Sequence, residues 1–240
     1  MVGAFVVHAF RKGDGALIDL RRLSTRAFTG ATSGLFLYSA AMFGVMILVP
    51  LFAGLVRGES ALDAGWLLAP MGLGAMLTMS VSGRLADRFG GRWFVVGGVL
   101  GVLAGTLALT GLSPGTGRPT IMCAMFVVGL GHGMIAPCLM AMAYQGLPRE
   151  AVPAATTGAN ILVRVGSSLG TAVMAVVLQI SIRDEIPGAS GNLDEAAALH
   201  TAGTPNLLAG AFTTTFWWAA AILLLSLLPI LAVPRRARAK

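Results

Sequence analysis

The sequence predicts an all-α membrane protein in which six transmembrane helices form one bundle. Three observations carry that prediction. Of 240 residues, 56% are hydrophobic and only 11% are charged, whereas charged residues make up about a quarter of an ordinary soluble domain. The mean hydropathy is +0.81. Apolar stretches long enough to cross a hydrocarbon layer, which takes roughly 20 apolar residues, recur six times along the chain, five of them uncharged and one with a single charge. A β-barrel fits poorly: the sequence has 32 glycines and 11 prolines and little of the period-two alternation that barrel strands require.

Residues 1–27 stand apart. The opening MVGAFVVHAF is apolar but too short to cross, and it lacks the basic start and small-residue cleavage site of a signal peptide. It reads as the end of a truncated helix followed by a cytoplasmic linker from Arg11 to Arg26, with a short interfacial helix as the alternative. Residues 28–240 form the bundle. Its expected spans run from about Ala31 to Leu55, Ala64 to Gly83, Trp93 to Leu112, Pro119 to Ala143, Val152 to Ile182 and Leu208 to Val233. The fifth is interrupted by one charge, Arg164, and the sixth is stopped by Pro234 and a basic tail. Between the fifth and sixth, residues 183–207 form the one substantial loop. Asn192 and Glu195 resemble a helix-starting box within it, and Gly203 a stop, which predicts a short surface helix.

Lys and Arg are distributed unevenly among the loops. The first, third, fifth and last segments hold 13 of them, and the intervening segments hold Arg57, Arg118 and Arg183. By the positive-inside tendency the richer side is cytoplasmic, so both termini are expected in the cytoplasm and the 183–207 loop outside, in a multi-pass protein of the plasma (inner) membrane. This distribution also accounts for the net charge of +7, which otherwise invites a nucleic-acid role. Cys123 and Cys138 fall in one span, roughly 22 Å apart if it is a straight helix, too far to bridge. No cluster of Cys, His and carboxylates has metal-ligand spacing.

The most specific string is Gly83-Arg84-Leu85-Ala86-Asp87-Arg88-Phe89-Gly90-Gly91-Arg92, placed in the cytoplasmic turn after the second span. Arg84 and Arg88 lie near the negative C-terminal end of that span, Asp87 suits the positive N-terminus of a neighbouring helix, and Gly90-Gly91 permits a tight reversal. A short basic loop obeying the positive-inside rule explains the arginines alone. The full pattern resembles the cytoplasmic signature loop, G-x-L-(a)-D-r-x-G-r-(r), of the major facilitator superfamily. The runs LIDLRRLSTRAF and GANILVRVGSSLGTAVMAVVLQ are similar to the C-terminal half of fourteen-span drug:proton antiporters of its multidrug efflux branch. The resemblance covers nearly the whole chain. It implies one bundle, half of a major facilitator fold, made of two inverted three-helix repeats. The N-terminal bundle of such proteins, with its membrane carboxylates, is absent from the sequence.

Individual residues follow from helical spacing. A guanidinium in mid-span is costly unless it meets protein, water or a counter-charge. Arg164 shares a stripe with Asn160, Ser168 and Thr171, continued by Gln179. That stripe is expected to line a cavity, the alternative being an arginine that holds helices together. No Asp or Glu lies deep in any span, which leaves His132, in Gly129-Leu130-Gly131-His132-Gly133, as the one mid-span group titrating near neutral pH; close packing of a satisfied imidazole is its other reading. Tyr38, Met42 and Met46 share a face of the first span, and thioethers suit varied apolar ligands. Gly97-Gly101-Gly105, Gly129-Gly133 and Gly166-Gly170 mark tight helix contacts.

The expected function is transmembrane transport: export of amphiphilic drugs or other small organic compounds by proton antiport, in combination with a missing N-terminal half or a second copy. The competing expectation is a structural or regulatory membrane fragment without transport of its own. An enzyme is not expected, because no paired catalytic acids and no nucleophile with a base occur. No cofactor is implied, and the expected partners are membrane lipid and a small organic substrate.

Overall fold

A computed structural model describes residues 26–89, 91–144, 147–186 and 205–232, without the side chains of residues 26–27 and 84–89. The expected truncated helix end and its linker before Arg26, the short 192–203 helix and the basic tail lie outside the described residues. Six helices result: α1 (Arg26–Arg57), α2 (Ala61–Phe89), α3 (Gly91–Thr110), α4 (Arg118–Ala143), α5 (Val152–Glu185) and α6 (Pro205–Ala232), with a 3-10 turn at Arg149–Ala151. All six are long and apolar enough to cross a membrane.

Two boundaries differ from the sequence reading. Helix α2 does not stop at Gly83 but continues to Phe89, and α3 begins at Gly91. Arg84, Asp87 and Arg88 therefore sit on helical backbone, and Gly90, between the two helices in sequence, lies outside the described residues. The charges end the membrane-compatible stretch without ending the helix: Arg, Leu and Ala are strong helix formers, and basic residues are favourable near a helix C-terminus. Likewise α5 runs past Ile182 to Glu185, and α6 begins at Pro205, two residues before the expected loop end.

Helix contacts reveal an order that the sequence conceals. The four most extensive, α2–α4, α3–α4, α1–α6 and α1–α5, all pair a helix of the first three with one of the last three. Exchanging α1, α2 and α3 with α4, α5 and α6 turns α4–α2 into α1–α5 and α4–α3 into α1–α6, while α1–α4 and α3–α6 map onto themselves. This is the contact pattern of two inverted three-helix repeats. Each central helix, α1 or α4, is clasped chiefly by the other repeat, so neither repeat is a self-contained unit. Helix α1 is the most buried of the six, and α2 and α5 are the least.

Glycine makes the crossings possible. A Cβ on Gly133 would strike Thr78 and Ala75 of α2, and one on Gly129 the backbone of Met71. In the other half, a Cβ on Gly166 would come within 2.6 Å of the Phe36 carbonyl of α1, and one on Gly170 would strike the backbone of Ala40. On α3 the expected Gly101 and Gly105 face α4, but Gly98 takes the place expected of Gly97. Gly98 and Gly105 pack against α4, within 2.9 Å of the Gly131 carbonyl and 2.8 Å of the Ala124 carbonyl, whereas Gly97 meets only the end of Met134. Buried hydroxyls are satisfied within their own helices: Thr32 donates to the Phe28 carbonyl at 2.7 Å, Thr106 to Val102 at 2.9 Å and Thr215 to Ala211 at 2.8 Å. Aromatic packing joins α1 to α6 through an edge-on contact of Phe52 with Phe212, centroids 5.5 Å apart.

These contacts make a stability prediction. Gly170→Ala drives a methyl group into backbone and is expected to cost about 1–3 kcal/mol. Gly158→Ala, on the same helix but facing open space, is expected to be neutral or stabilising by up to about 1 kcal/mol. Unfolding in mild detergent, followed by circular dichroism, compares them; equal stabilities would contradict the close α1–α5 contact.

Candidate functional site

Polar side chains gather at two levels of the bundle. The first is its middle. Tyr38 lies 12 residues from the Arg26 end of α1, His132 lies 11 from the Ala143 end of α4, and Arg164 lies 12 from the Val152 end of α5. Alternation of helix direction puts those three ends on the same side. At a rise of 1.5 Å per residue all three groups therefore lie about 17–18 Å in, at one depth.

Tyr38 and His132, 94 positions apart, meet across the α1–α4 contact. Tyr38 Oη is 2.6 Å from His132 Nδ1, and the two rings stack with centroids 5.9 Å apart and planes 23° from parallel. Tyr38 is only 2% exposed, while His132 is half-buried. The glycines beside His132 fix its direction: Gly131 packs on α3 and Gly133 on α2, which leaves position 132 aimed towards α1. The imidazole of His132 is thus packed and bonded without being fully enclosed.

The polar stripe of α5 lies elsewhere on the surface. Asn160, Arg164 and Ser168 are exposed, Thr171 is partly so, and Gln179 is exposed above them. Large apolar residues, including Ile161, Leu162, Leu169 and Val173, are exposed on either side. Met42 is a core residue at 2% exposure, while Met46 is exposed; the shared face of α1 thus passes from core to surface within two turns. Gly83 is exposed on α2 and Arg92 is partly buried at the start of α3, whereas the side chains of Arg84, Asp87 and Arg88 lie outside the described residues. Cys123 is exposed and Cys138 buried. Among the described residues no three His, Cys, Asp or Glu come together as a metal would need.

The second level is the opposite end of the helices, and the sequence reading passed over it. Helix α1 closes on Gly58, whose φ of 63° is in the left-handed region; Gly58 N donates to the Gly54 carbonyl, as in a left-handed glycine cap, and Glu59 N to the Ala53 carbonyl. Ser60 then caps α2: its Oγ accepts from Asp63 N at 3.2 Å and donates to Asp63 Oδ2 at 2.7 Å. Between these caps Glu59 is turned inward, 7% exposed, where Oε1 takes Arg57 Nε at 2.7 Å and Arg118 Nε at 3.2 Å. Arg118 also reaches Asp63 at 3.3 Å, and Arg57 donates to the Thr116 carbonyl at 2.7 Å. The α1–α2 turn is thereby tied to the start of α4, one repeat to the other. The S-x-x-D capping pattern at Ser60–Asp63 was legible in the sequence; the role of Glu59 was not.

Glu59→Ala strands the largely buried Arg57 guanidinium and is expected to lower stability by about 3 kcal/mol. Asp63→Asn, at an exposed pair, is expected to cost much less. Thermal unfolding of the two variants checks the ranking, which a larger loss for Asp63→Asn would contradict.

Comparison with known proteins adds to this geometry. The sequence pattern of the Major Facilitator Superfamily matches residues 7–171. The chain is 31% identical over 180 residues to a Multidrug resistance protein B homolog of Mycobacterium tuberculosis, covering 74% of this chain and 33% of that protein. It is 25% identical over 167 residues to the Multidrug transporter protein MdtP of Bacillus subtilis, 70% of this chain and 31% of that protein. It is 28% identical over 191 residues to the Lincomycin resistance protein LmrB of Listeria monocytogenes, 79% and 41%. The chain thus spans about a third to two fifths of the length of these relatives.

Proposed function

The chain belongs to the Major Facilitator Superfamily, a family of transporters rather than enzymes, and from that premise we propose that it is the C-terminal six-helix half of an exporter of amphiphilic organic compounds, driven by proton exchange. One observation carries the reading. A guanidinium, a carboxamide and a hydroxyl, on Arg164, Asn160 and Ser168, are exposed on the middle of a membrane-length helix. Insertion scales put the cost of an arginine at that depth near 3 kcal/mol, so the stripe calls for water or protein beside it rather than lipid. An aqueous path along α5, closed on its far side by an N-terminal bundle or by a second copy of this chain, supplies both. The relatives named for multidrug and lincomycin resistance support a broad, amphiphilic substrate class.

In this reading Asn160, Arg164, Ser168 and Thr171 line the path, with Tyr38 and His132 at the same depth. The segment from Gly83 to Arg92 joins the ends of α2 and α3, and Asp87 there biases which of two arrangements the helix ends adopt. The residue bias of the loops supports cytoplasmic termini, an outer 183–207 loop and residence in the plasma (inner) membrane.

Two measurements test the reading. In a variant lacking Cys123 and Cys138, cysteines placed at Ser113 and Ser190 are expected to react with an impermeant thiol reagent on intact cells, and one at Gly90 only after permeabilisation; the reverse pattern overturns the orientation. Joined to the N-terminal half of the Mycobacterium tuberculosis relative and reconstituted in proteoliposomes, the chain is expected to drive uptake of a cationic dye under an imposed pH gradient, at least tenfold less with Arg164→Ala. The chain by itself is expected to give no such uptake. Uptake by the lone chain, lost in Arg164→Ala, would favour a self-paired transporter; a fusion that inserts and folds yet moves no dye would contradict the transport reading.

A further inference from the structure

We propose that the imidazole of His132 is a proton-carrying site of this bundle and that Tyr38 is its positioning residue, reporting the charge of His132 across the contact between the two repeats. The proposal rests on the transport reading for its use, but its geometry stands independently.

The pair occupies the one place where the two repeats meet through their central helices at mid-depth, α1 against α4. The 2.6 Å bond engages Nδ1. Among the described residues no hydrogen bond engages Nε2, and the half-buried ring leaves an edge open to the bundle surface. The imidazole therefore has one nitrogen committed to the protein and one available to water.

The surroundings make this the group on which a proton would be held. On α1, Tyr38 is the titratable residue, and no charged residue lies between Arg26 and Arg57. Helix α2 contributes Thr78 beside Gly133 and carries no charged residue between Asp63 and Arg84, and α3 carries none between Arg92 and its end at Thr110. On α4 itself the other titratable side chains between Arg118 and Ala143 are the thiols of Cys123 and Cys138. Helix α5 touches α4 only slightly, and the charge it brings to this depth is the permanent one of Arg164. With no carboxylate at this level of the helices, the imidazole is the side chain here whose ordinary protonation equilibrium lies nearest neutrality.

The proton balance is simple. A neutral imidazole holds one N–H and one lone pair; a proton from water joins the lone pair, forming one N–H bond, and leaves to water by the reverse step, while Tyr38 stays a phenol throughout. The imidazolium has two donors and no acceptor. In the protonated state Nδ1–H must donate to Tyr38 Oη, and the phenol hydrogen must turn elsewhere; in the neutral state the phenol can donate to Nδ1. The charged bond is about twice as strong as the neutral one, so uptake of a proton tightens α1 on α4 and release loosens it. A cationic substrate in the path at the same depth is repelled by the imidazolium, which makes occupancy by proton and by substrate alternatives.

The test uses the full chain in lipid nanodiscs with nitrogen-15 histidine, the resonance of His132 being assigned against His8 and His200 through His132→Gln. The expected result is a titration of His132 between about pH 5 and 8. Tyr38→Phe, verified as folded by its thermal transition, is expected to lower the midpoint by about 0.5–1 unit, because the stronger, charged bond is the one lost. A ring that stays neutral throughout, or a midpoint that Tyr38→Phe leaves in place, overturns the proposal. In the transporting fusion, His132→Gln is expected to let dye equilibrate down its own gradient while the pH gradient no longer concentrates it. Proton-driven accumulation that survives His132→Gln overturns the proposal with the transport reading intact, whereas titration as expected in a fusion that moves no dye supports the proton site and overturns the transport reading.

Discussion

Close approach of helix backbones at glycine is the constraint on which this bundle depends. In a bilayer the hydrophobic effect does not press helices together, since lipid tails are as apolar as leucine, and association falls to packing and hydrogen bonding. Gly129 and Gly133 let α4 touch α2, and Gly166 and Gly170 let α5 touch α1. Because the two contacts are related by exchange of the repeats, the same device is used twice. It turns what would be two separate three-helix units into one interlocked body, in which each central helix is held by the other repeat.

The polar groups inherit their positions from that interlock. Glycines at 131 and 133 let α3 and α2 close on α4 from two sides, which sets the rotation of α4 and aims His132 at Tyr38. At the opposite end the Gly58 closure and the Ser60 cap turn Glu59 inward, so that Arg57 and Arg118, from different repeats, share its Oε1. One link between repeats is neutral and mid-membrane, the other charged and at the helix ends.

The spans were legible because the bilayer imposes a crude rule, long stretches without charge, and α1 to α6 obey it. Their ends were less so, because Arg84 and Asp87 terminate membrane compatibility without terminating α2. Glycine spacing at Gly129-Gly133 and Gly166-Gly170 marked close contacts without naming the partner helices, and on α3 the four-residue repeat picked Gly97 where Gly98 makes the contact. Helices apolar on all sides carry little information about which face is buried, and so Met42 and Met46, assigned one face, divide between core and surface. The Tyr38–His132 bond was out of reach: 94 residues separate partners that only the helix exchange brings together. The stripe of Asn160, Arg164, Ser168 and Thr171 could be drawn from spacing alone, because one charge in an apolar helix defines its own face.

The central claim is that the exposed stripe of α5 faces an aqueous path rather than lipid. A nitroxide at Ser168, in a chain free of native cysteines, joined to the N-terminal half of a relative and reconstituted in a bilayer, reads this directly by comparing collisions with a water-soluble nickel complex and with dissolved oxygen. The account predicts high nickel and low oxygen accessibility at Ser168, with the opposite at Leu228 on α6. Oxygen-dominated relaxation at Ser168, matching Leu228, would contradict it.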